Sequence, residues 1–237
     1  MANTNKVALI TGANKGIGLE IARQIGRQGI TVVLGSRDPQ KGQAAADLLK
    51  SEGIDAHTVK LEVTDAADRD ALPAFFQSQF GRLDILINNA GILKDAEGIT
   101  PDLLARTFDS NAIAPYFLTE ALLPLLKAAP SGRIVHQSSI LGSIATTATG
   151  TFSPDYLLPA YASSKAALNM LGVIQAEALK DTSVKVNIAH PGSVKTDMNP
   201  VGTLSLEEGA KTAVTLATLP DDGPTGGYFH LGETLPW

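Results

Sequence analysis

Apolar residues in this chain fall into short, nearly unbroken runs, and between the runs they recur at helical spacing. Continuous Val/Ile/Leu runs of this length are the pattern of strands buried on both faces, and a 3.6-residue period marks the helices that cover them. Runs at 6–11, 31–35, 56–61, 83–87, 133–137, 184–190 and 227–231 predict seven strands, with Asp84 the single acid inside the fourth. Helices are predicted over about 19–28, 39–51, 66–79, 101–128, the stretch carrying Tyr161, and 206–219. Pro115 is expected to kink the long helix at 101–128, and 138–159, rich in Thr, Ser and Gly, reads as a loop. One β/α alternation, without repeat or linker, spans residues 1–237 and predicts a single α/β domain built on a parallel sheet with helices on both faces.

Composition narrows the function classes. An apolar share of 44% against a charged share of 18% excludes a disordered chain. A net charge of −5 argues against a general nucleic-acid or anionic-membrane binder. No run of about eighteen apolar residues predicts a membrane span. The first six residues lack a signal peptide's apolar segment, so a cytoplasmic location is expected. With Cys at 0, disulfides, thiolate metal sites and cysteine nucleophiles are all removed. His57, His136, His190 and His230 show no ligand spacing, and no metal site is expected.

The first strand runs into Gly12-Ala-Asn-Lys-Gly16-Ile-Gly18 and then a helix. Strand, glycine-rich turn and helix together form a phosphate cradle, because glycines let the backbone approach the pyrophosphate and the helix amino terminus faces it. Gly12, Asn14, Lys15, Gly16, Ile17 and Gly18 are therefore candidate nucleotide contacts, and the fold is expected to be a Rossmann-like doubly wound sheet. The spacing differs from both the dinucleotide G-x-G-x-x-G and the P-loop. At the end of the second strand an acid would take ribose hydroxyls, whereas an arginine accommodates a 2′-phosphate. Here Ser36-Arg37 stands there and Lys15 lies in the loop, which favours NADP(H), with Asp38 weighing against it.

In Tyr161-Ala-Ser-Ser-Lys165 the phenol and ammonium share one helix face. A nearby cation favours the phenolate, so Tyr161 is expected to be tuned toward neutral pH for proton exchange with an alcohol or carbonyl. The pattern is short, and a surface i,i+4 pair without chemistry is its bland reading until the rest of the chain is considered.

These landmarks together resemble the single-domain short-chain dehydrogenase/reductase family over essentially the whole length. They are Thr11-Gly-Ala-Asn-Lys-Gly-Ile-Gly18, Asn88-Asn-Ala-Gly91, Asn111, Ser139, Tyr161-x-x-x-Lys165, and Pro191-Gly192 with Thr196. Ser36-Arg-Asp38, Val194-Lys-Thr-Asp-Met198 and the tail from Glu207 to Gly226 are most similar to the NADPH-dependent carbonyl reductase branch.

The resemblance implies hydride transfer between NADP(H) and a small ketone or aldehyde. Tyr161 would donate the proton, Ser139 would hydrogen-bond the carbonyl oxygen, and Ser138 is its alternate. Lys165 would lower the Tyr161 pKa and hold the nicotinamide ribose, and Asn111 would position a water linking Lys165 to solvent. Val194 and Thr196 would bind the carboxamide, and Val63, Asn88, Ala90, Gly91 and Pro191 would complete the cofactor groove. Glu62 stands where the family has an aspartate near adenine. Ser139 and Tyr161 are separated by an insertion at about 146–158, whose Phe152, Tyr156, Leu157 and Leu158 either line a substrate pocket or shield the helix face used for assembly; monomer and homo-oligomer both stay open. The short 199–205 segment suggests an open site accepting several substrates. Rival readings are a carrier-bound 3-oxoacyl, sugar or steroid reductase of the same family, and a non-catalytic NADP(H)-binding regulator.

Overall fold

In the computed structural model the apolar runs pair into one sheet; residues 6–237 are described, and residues 1–5, on which the expectation of no signal peptide partly rests, lie outside the described residues. Strands β1 (Val7–Thr11), β2 (Thr31–Ser36), β3 (Ala56–Lys60), β4 (Ile85–Asn88), β5 (Arg133–Gln137), β6 (Lys185–Ala189) and β7 (Tyr228–His230) are mutually parallel, in the order β3-β2-β1-β4-β5-β6-β7. An eighth strand, β8 (Glu233–Thr234), turns back antiparallel to β7 through Leu231 and Gly232, both at positive φ. The expected seven strands fall one short because two residues are too few to show a period.

Among the described residues eight α-helices accompany the sheet: α1 (Gly16–Gly26), α2 (Pro39–Ser51), α3 (Ala66–Gln79), α4 (Pro101–Phe108), α5 (Ala114–Ala128), α6 (Ile144–Ala148), α7 (Pro159–Ala178) and α8 (Leu206–Ala217). Ala8 and Ile10 face the layer of α1, α2 and α8, whereas Val7 and Leu9 face that of α3 and α5. Both faces are covered, so each buried Leu, Ile or Val stabilises by roughly 1.5–3 kcal/mol, and the runs show no polar alternation. Asp84 is the exception, and it is satisfied: it accepts from the Val7 amide at 2.9 Å and pairs with Arg82, pinning the start of β1 beside β4. No helix among the described residues is long and apolar enough to cross a membrane.

Two expectations are corrected. The helix at 101–128 is not merely kinked at Pro115; it is interrupted by a π-turn, Asp109–Ile113, between α4 and α5. Proline has no N–H, so the Asn111 carbonyl loses its donor four residues on, and the backbone widens there. The stretch read as loop contains α6 and two 3-10 turns, Ile140–Gly142 and Pro154–Tyr156.

Within the α7 layer, His136 on β5 accepts from Asn88 Nδ2 at 3.2 Å and donates to Gln175 Oε1 at 3.0 Å, which assigns its proton to Nε2. Burial pushes His136 down to about 4, and burial followed by the neighbouring His230 pushes His190 to about 3. Below about pH 6.5 the unfolded chain protonates both while the folded chain does not. Stability is therefore expected to fall as pH drops from about 6.5 toward 4, each histidine contributing a slope of up to about 1.4 kcal/mol per pH unit. Urea midpoints at pH 7, 6 and 5 measure this, and His136→Asn should flatten the trend; identical midpoints across the range would contradict it.

Candidate active site

Register brings four strand ends to one edge: Ile10 pairs Ile87, Asn88 pairs His136, and Gln137 pairs Ala189. Chain order reverses between β1 and β4, the crevice where open α/β sheets bind ligands. The glycine loop there is packed to its limit. A Cβ on Gly18 would lie 2.5 Å from Asn89 Nδ2, and one on Gly12 would lie 3.1 Å from Ala90 Cα. Gly12 and Gly16 take positive φ, 64° and 60°, and Gly16 faces open space. Since α1 begins at Gly16, its unpaired amides open onto this crevice, which fits a pyrophosphate.

Thr11 Oγ1 accepts from the Asn89 and Ala90 amides at 3.0 and 2.9 Å, and Asn89 Nδ2 donates to the Thr11 carbonyl at 2.9 Å. Of the two asparagines, then, Asn89 ties β4's exit to the glycine loop. Asn88, expected to contact the cofactor, turns its side chain inward to Thr119 and His136. Strand alternation, counted from Asn88 as the last strand residue, was the available signal for Asn89.

Past β2, Arg37 is exposed and makes no ion pair among the described residues. Asp38, which had weighed against a phosphorylated ribose, is occupied as the cap of α2. It accepts from the Gln40 and Lys41 amides at 3.0 and 3.1 Å, and the Lys41 bond above all holds its carboxyl below the usual range. A groove of about 350 Å³ adjoins this corner, bounded by Asn14, Lys15, Leu19, Ala45 and a cation sequence reasoning missed, Lys41. Lys15 reaches across the groove's mouth to Asp197 at 2.5 Å, an exposed pair that a bound anion can exchange. Glu62 is turned to its own loop, accepting from Thr64 Oγ1 at 3.2 Å, and the Val63 carbonyl accepts from Arg69 at 2.7 Å.

The proposed catalytic side chains meet where α5, α7 and β5 converge. In the π-turn, Asn111 is fully buried; it brackets the Ile92 backbone, accepting from its N–H and donating to its carbonyl at 2.8 Å each, and donates to Ser164 Oγ at 3.0 Å. Lys165 Nζ donates to the Gln137 carbonyl at 2.8 Å and lies 5.7 Å from the Tyr161 ring centre. Gly142 permits this approach, since a Cβ there would sit 2.8 Å from Lys165 backbone. Ser139 lies close enough to the Tyr161 phenol to oppose the rise of its pKa, and its Oγ accepts from the Leu141 amide at 3.3 Å. Ser138, the alternate, donates to Asn169 Oδ1 at 2.6 Å and is buried away from the phenol's neighbour Ser139.

The electrostatics depart from expectation. Burial pushes Tyr161 up to about 12, with the Ser139 bond opposing and Asp95 adding to the rise. Burial brings Lys165 down to about 8. Among the chain's own groups desolvation outweighs the cation, so Tyr161 is a protonated phenol at neutral pH and not a tuned one. Asp95, in the 3-10 turn Asp95–Glu97, was also missed: it accepts from the Ala160 and Tyr161 amides at 2.9 and 3.2 Å, capping α7 from a distant segment. No local pattern announces a cap supplied 65 residues away.

Pro191 and Gly192 follow β6. Val194 is buried against Gly209 of α8, its amide donates to the Gly192 carbonyl at 3.1 Å, and Thr196 Oγ1 accepts from the Asn199 amide at 3.1 Å. The 146–158 insertion does not shield the outer faces of α5 and α7, where Phe117, Met170 and Ile174 stay exposed. It begins in α6, whose Ala145 amide donates to the Trp237 carbonyl at 2.6 Å, and Trp237 stacks on Tyr228.

Comparison with known proteins adds to this geometry. The family model "short chain dehydrogenase" matches residues 6–203. The chain is 36% identical to (+)-neomenthol dehydrogenase of Arabidopsis thaliana, covering 95% of this chain and 96% of that one. It is 34% identical to human carbonyl reductase [NADPH] 1, with 100% of both covered. Its fold superposes on NADPH-bound carbonyl reductase from chicken fatty liver at a TM-score of 0.85, 31% identity and 100% of each chain, and on Papaver somniferum salutaridine reductase at 0.83 and 31%, covering 95% and 99%.

Removing the distant cap is a direct test of how Tyr161 is held. Asp95→Ala leaves two buried amides unpaired and is expected to cost about 1–2 kcal/mol of stability, read in urea unfolding, with Asp95→Asn recovering part. An unchanged midpoint for the alanine variant would remove Asp95 from this role.

Proposed function

The chain belongs to the short-chain dehydrogenase/reductase family, and from that premise we infer that it is a cytoplasmic reductase of small ketones and aldehydes, with Tyr161 as proton donor. It is an NADP(H)-dependent oxidoreductase. The observation carrying the finer reading is the cluster of buried Tyr161, Lys165 and Asn111 with part-buried Ser139 beside the phenol, at the mouth of the nucleotide crevice.

NADPH, when bound, supplies the hydride. The chain's part is orientation and proton supply. Gly12–Gly18 and the first turn of α1 hold the pyrophosphate, and Arg37, with Lys15 and Lys41 beside it, meets the 2′-phosphate. Val194 and Thr196 offer backbone and hydroxyl to the carboxamide, and Lys165 serves the nicotinamide ribose. Ser139 and Tyr161 converge on the substrate carbonyl as donors already in place, so charge developing on its oxygen meets hydrogen bonds without rearrangement. A phenol whose pKa stands near 12 is protonated when the carbonyl arrives, which suits reduction. As its proton leaves, the nearby Lys165 ammonium favours the phenolate, and Asn111 sits where a water reaches Lys165 from solvent. The relatives' names speak for ketone substrates, and the short 199–205 segment for several of them.

Tyr161→Phe is expected to lower kcat at least about a hundredfold while leaving NADPH affinity in place, measured as NADPH oxidation over a panel of ketones, aldehydes, quinones and a β-ketoester. Retained turnover would refute the proton donor. Tight NADPH binding without turnover by the unaltered protein would favour the regulator. For the cofactor corner, Arg37→Asp should weaken NADPH roughly tenfold or more and spare NADH. Equal losses would remove the 2′-phosphate assignment.

A further inference from the structure

Gln137 closes β5 immediately before the two serines, and its backbone carbonyl accepts from Lys165 at 2.8 Å. Strand alternation sends His136 toward α7, where it meets Gln175, and sends Val135 toward the layer of α1 and α8. The Gln137 side chain leaves the sheet on the Val135 side, between the ends of β4 and β6. That is the carboxyl edge from which the glycine loop and the Pro191–Thr196 segment depart. Its neighbour across the ladder is Ala189, too small to fill the space. The residue is only 6% exposed, yet neither Nε2 nor Oε1 has a hydrogen-bond partner. A primary amide carries two donors and an acceptor, and burying all of them unmet is costly. Val135 two residues back and Ala189 across the ladder are both apolar and offer the amide no partner.

We propose that Gln137 is a cofactor-orienting residue whose amide pairs with the carboxamide of the nicotinamide ring, Nε2 donating to the carboxamide oxygen and Oε1 accepting from its NH2. The pairing rests on the reading of this crevice as the NADP(H) site, and it matches the chemistry: a carboxamide presents one acceptor and two donors in one plane, the complement of the glutamine amide. It gives the ring one rotational setting beside Tyr161 and Ser139, and it accounts for a buried polar group that otherwise only destabilises.

The test compares unaltered protein with Gln137→Met, with Gln137→Val as the smaller second variant should methionine not be accommodated. Binding is titrated with NADPH, with its 3-acetylpyridine analogue, which lacks the NH2, and with adenosine 2′,5′-bisphosphate, which lacks the nicotinamide half. Gln137→Met should bind NADPH about tenfold more weakly, discriminate less between NADPH and the acetyl analogue, and bind the bisphosphate unchanged. Urea midpoints give an independent reading. Without ligand the variant should be at least as stable as the parent, since an unpaired amide has been removed, and NADPH should stabilise it less. Equal weakening toward NADPH and the bisphosphate, or a variant destabilised without ligand, would make the role structural and overturn the proposal. Undiminished NADPH affinity, with the bisphosphate bound normally, would overturn it while leaving the nucleotide site standing. Failure of the unaltered protein to bind either ligand would remove the site and the proposal together.

Discussion

An ammonium group buried to 4% exposure dominates the arrangement of this active site. Lys165 donates to a single carbonyl, that of Gln137, and burial already costs it enough to bring its pKa to about 8. A buried cation persists only where surrounding structure fixes it, because desolvation is repaid by geometry alone. Much of the local sequence can be derived from that requirement. Gly142 lets the chain after Ser139 touch the Lys165 backbone, and Gly91 lies where a Cβ would come within 3.6 Å of its Nζ. Pro115 opens the π-turn that brings Asn111 against Ser164, one residue before Lys165.

Tyr161 and Lys165 are displaced in opposite directions by one cause. Desolvation disfavours charge on each, so the phenol holds its proton more firmly and the ammonium less firmly. The pair is poised against its charged state, and a phenol so placed is protonated at neutral pH and a weaker acid than a free one. The expectation of a phenol tuned down by lysine treated the two as if in solvent, where a cation four residues away would prevail.

The fold was legible because each strand is a continuous apolar run and each turn carries glycine, proline or an N-cap; Asp65, Ser205 and Thr100 start their helices as their types suggest. The motif residues were legible where chemistry depends on a local spacing, as in Tyr161 and Lys165. What escaped depends on contacts made across the chain. Asp95 caps a helix it does not belong to, Lys41 reaches the ribose corner only once α2 has docked, and Asn88 and Asn89 exchange roles through the facing of one strand residue. The two-residue β8 and the short turns after Ser139 are too brief to carry a period.

Such residues divide the labour of the site. Those readable from sequence, Gly12 to Gly18 with Tyr161 and Lys165, sit in motifs fixed by a local spacing. Segments with weaker local signals are held by fewer contacts. The 146–158 insertion is anchored at one end by Ser143, which caps α6, and through α6 to Trp237, yet Tyr156 and Leu157 remain exposed. Apolar side chains left unpacked bind by area and not by hydrogen-bond matching, and surfaces of that kind discriminate weakly between partners differing by a methylene.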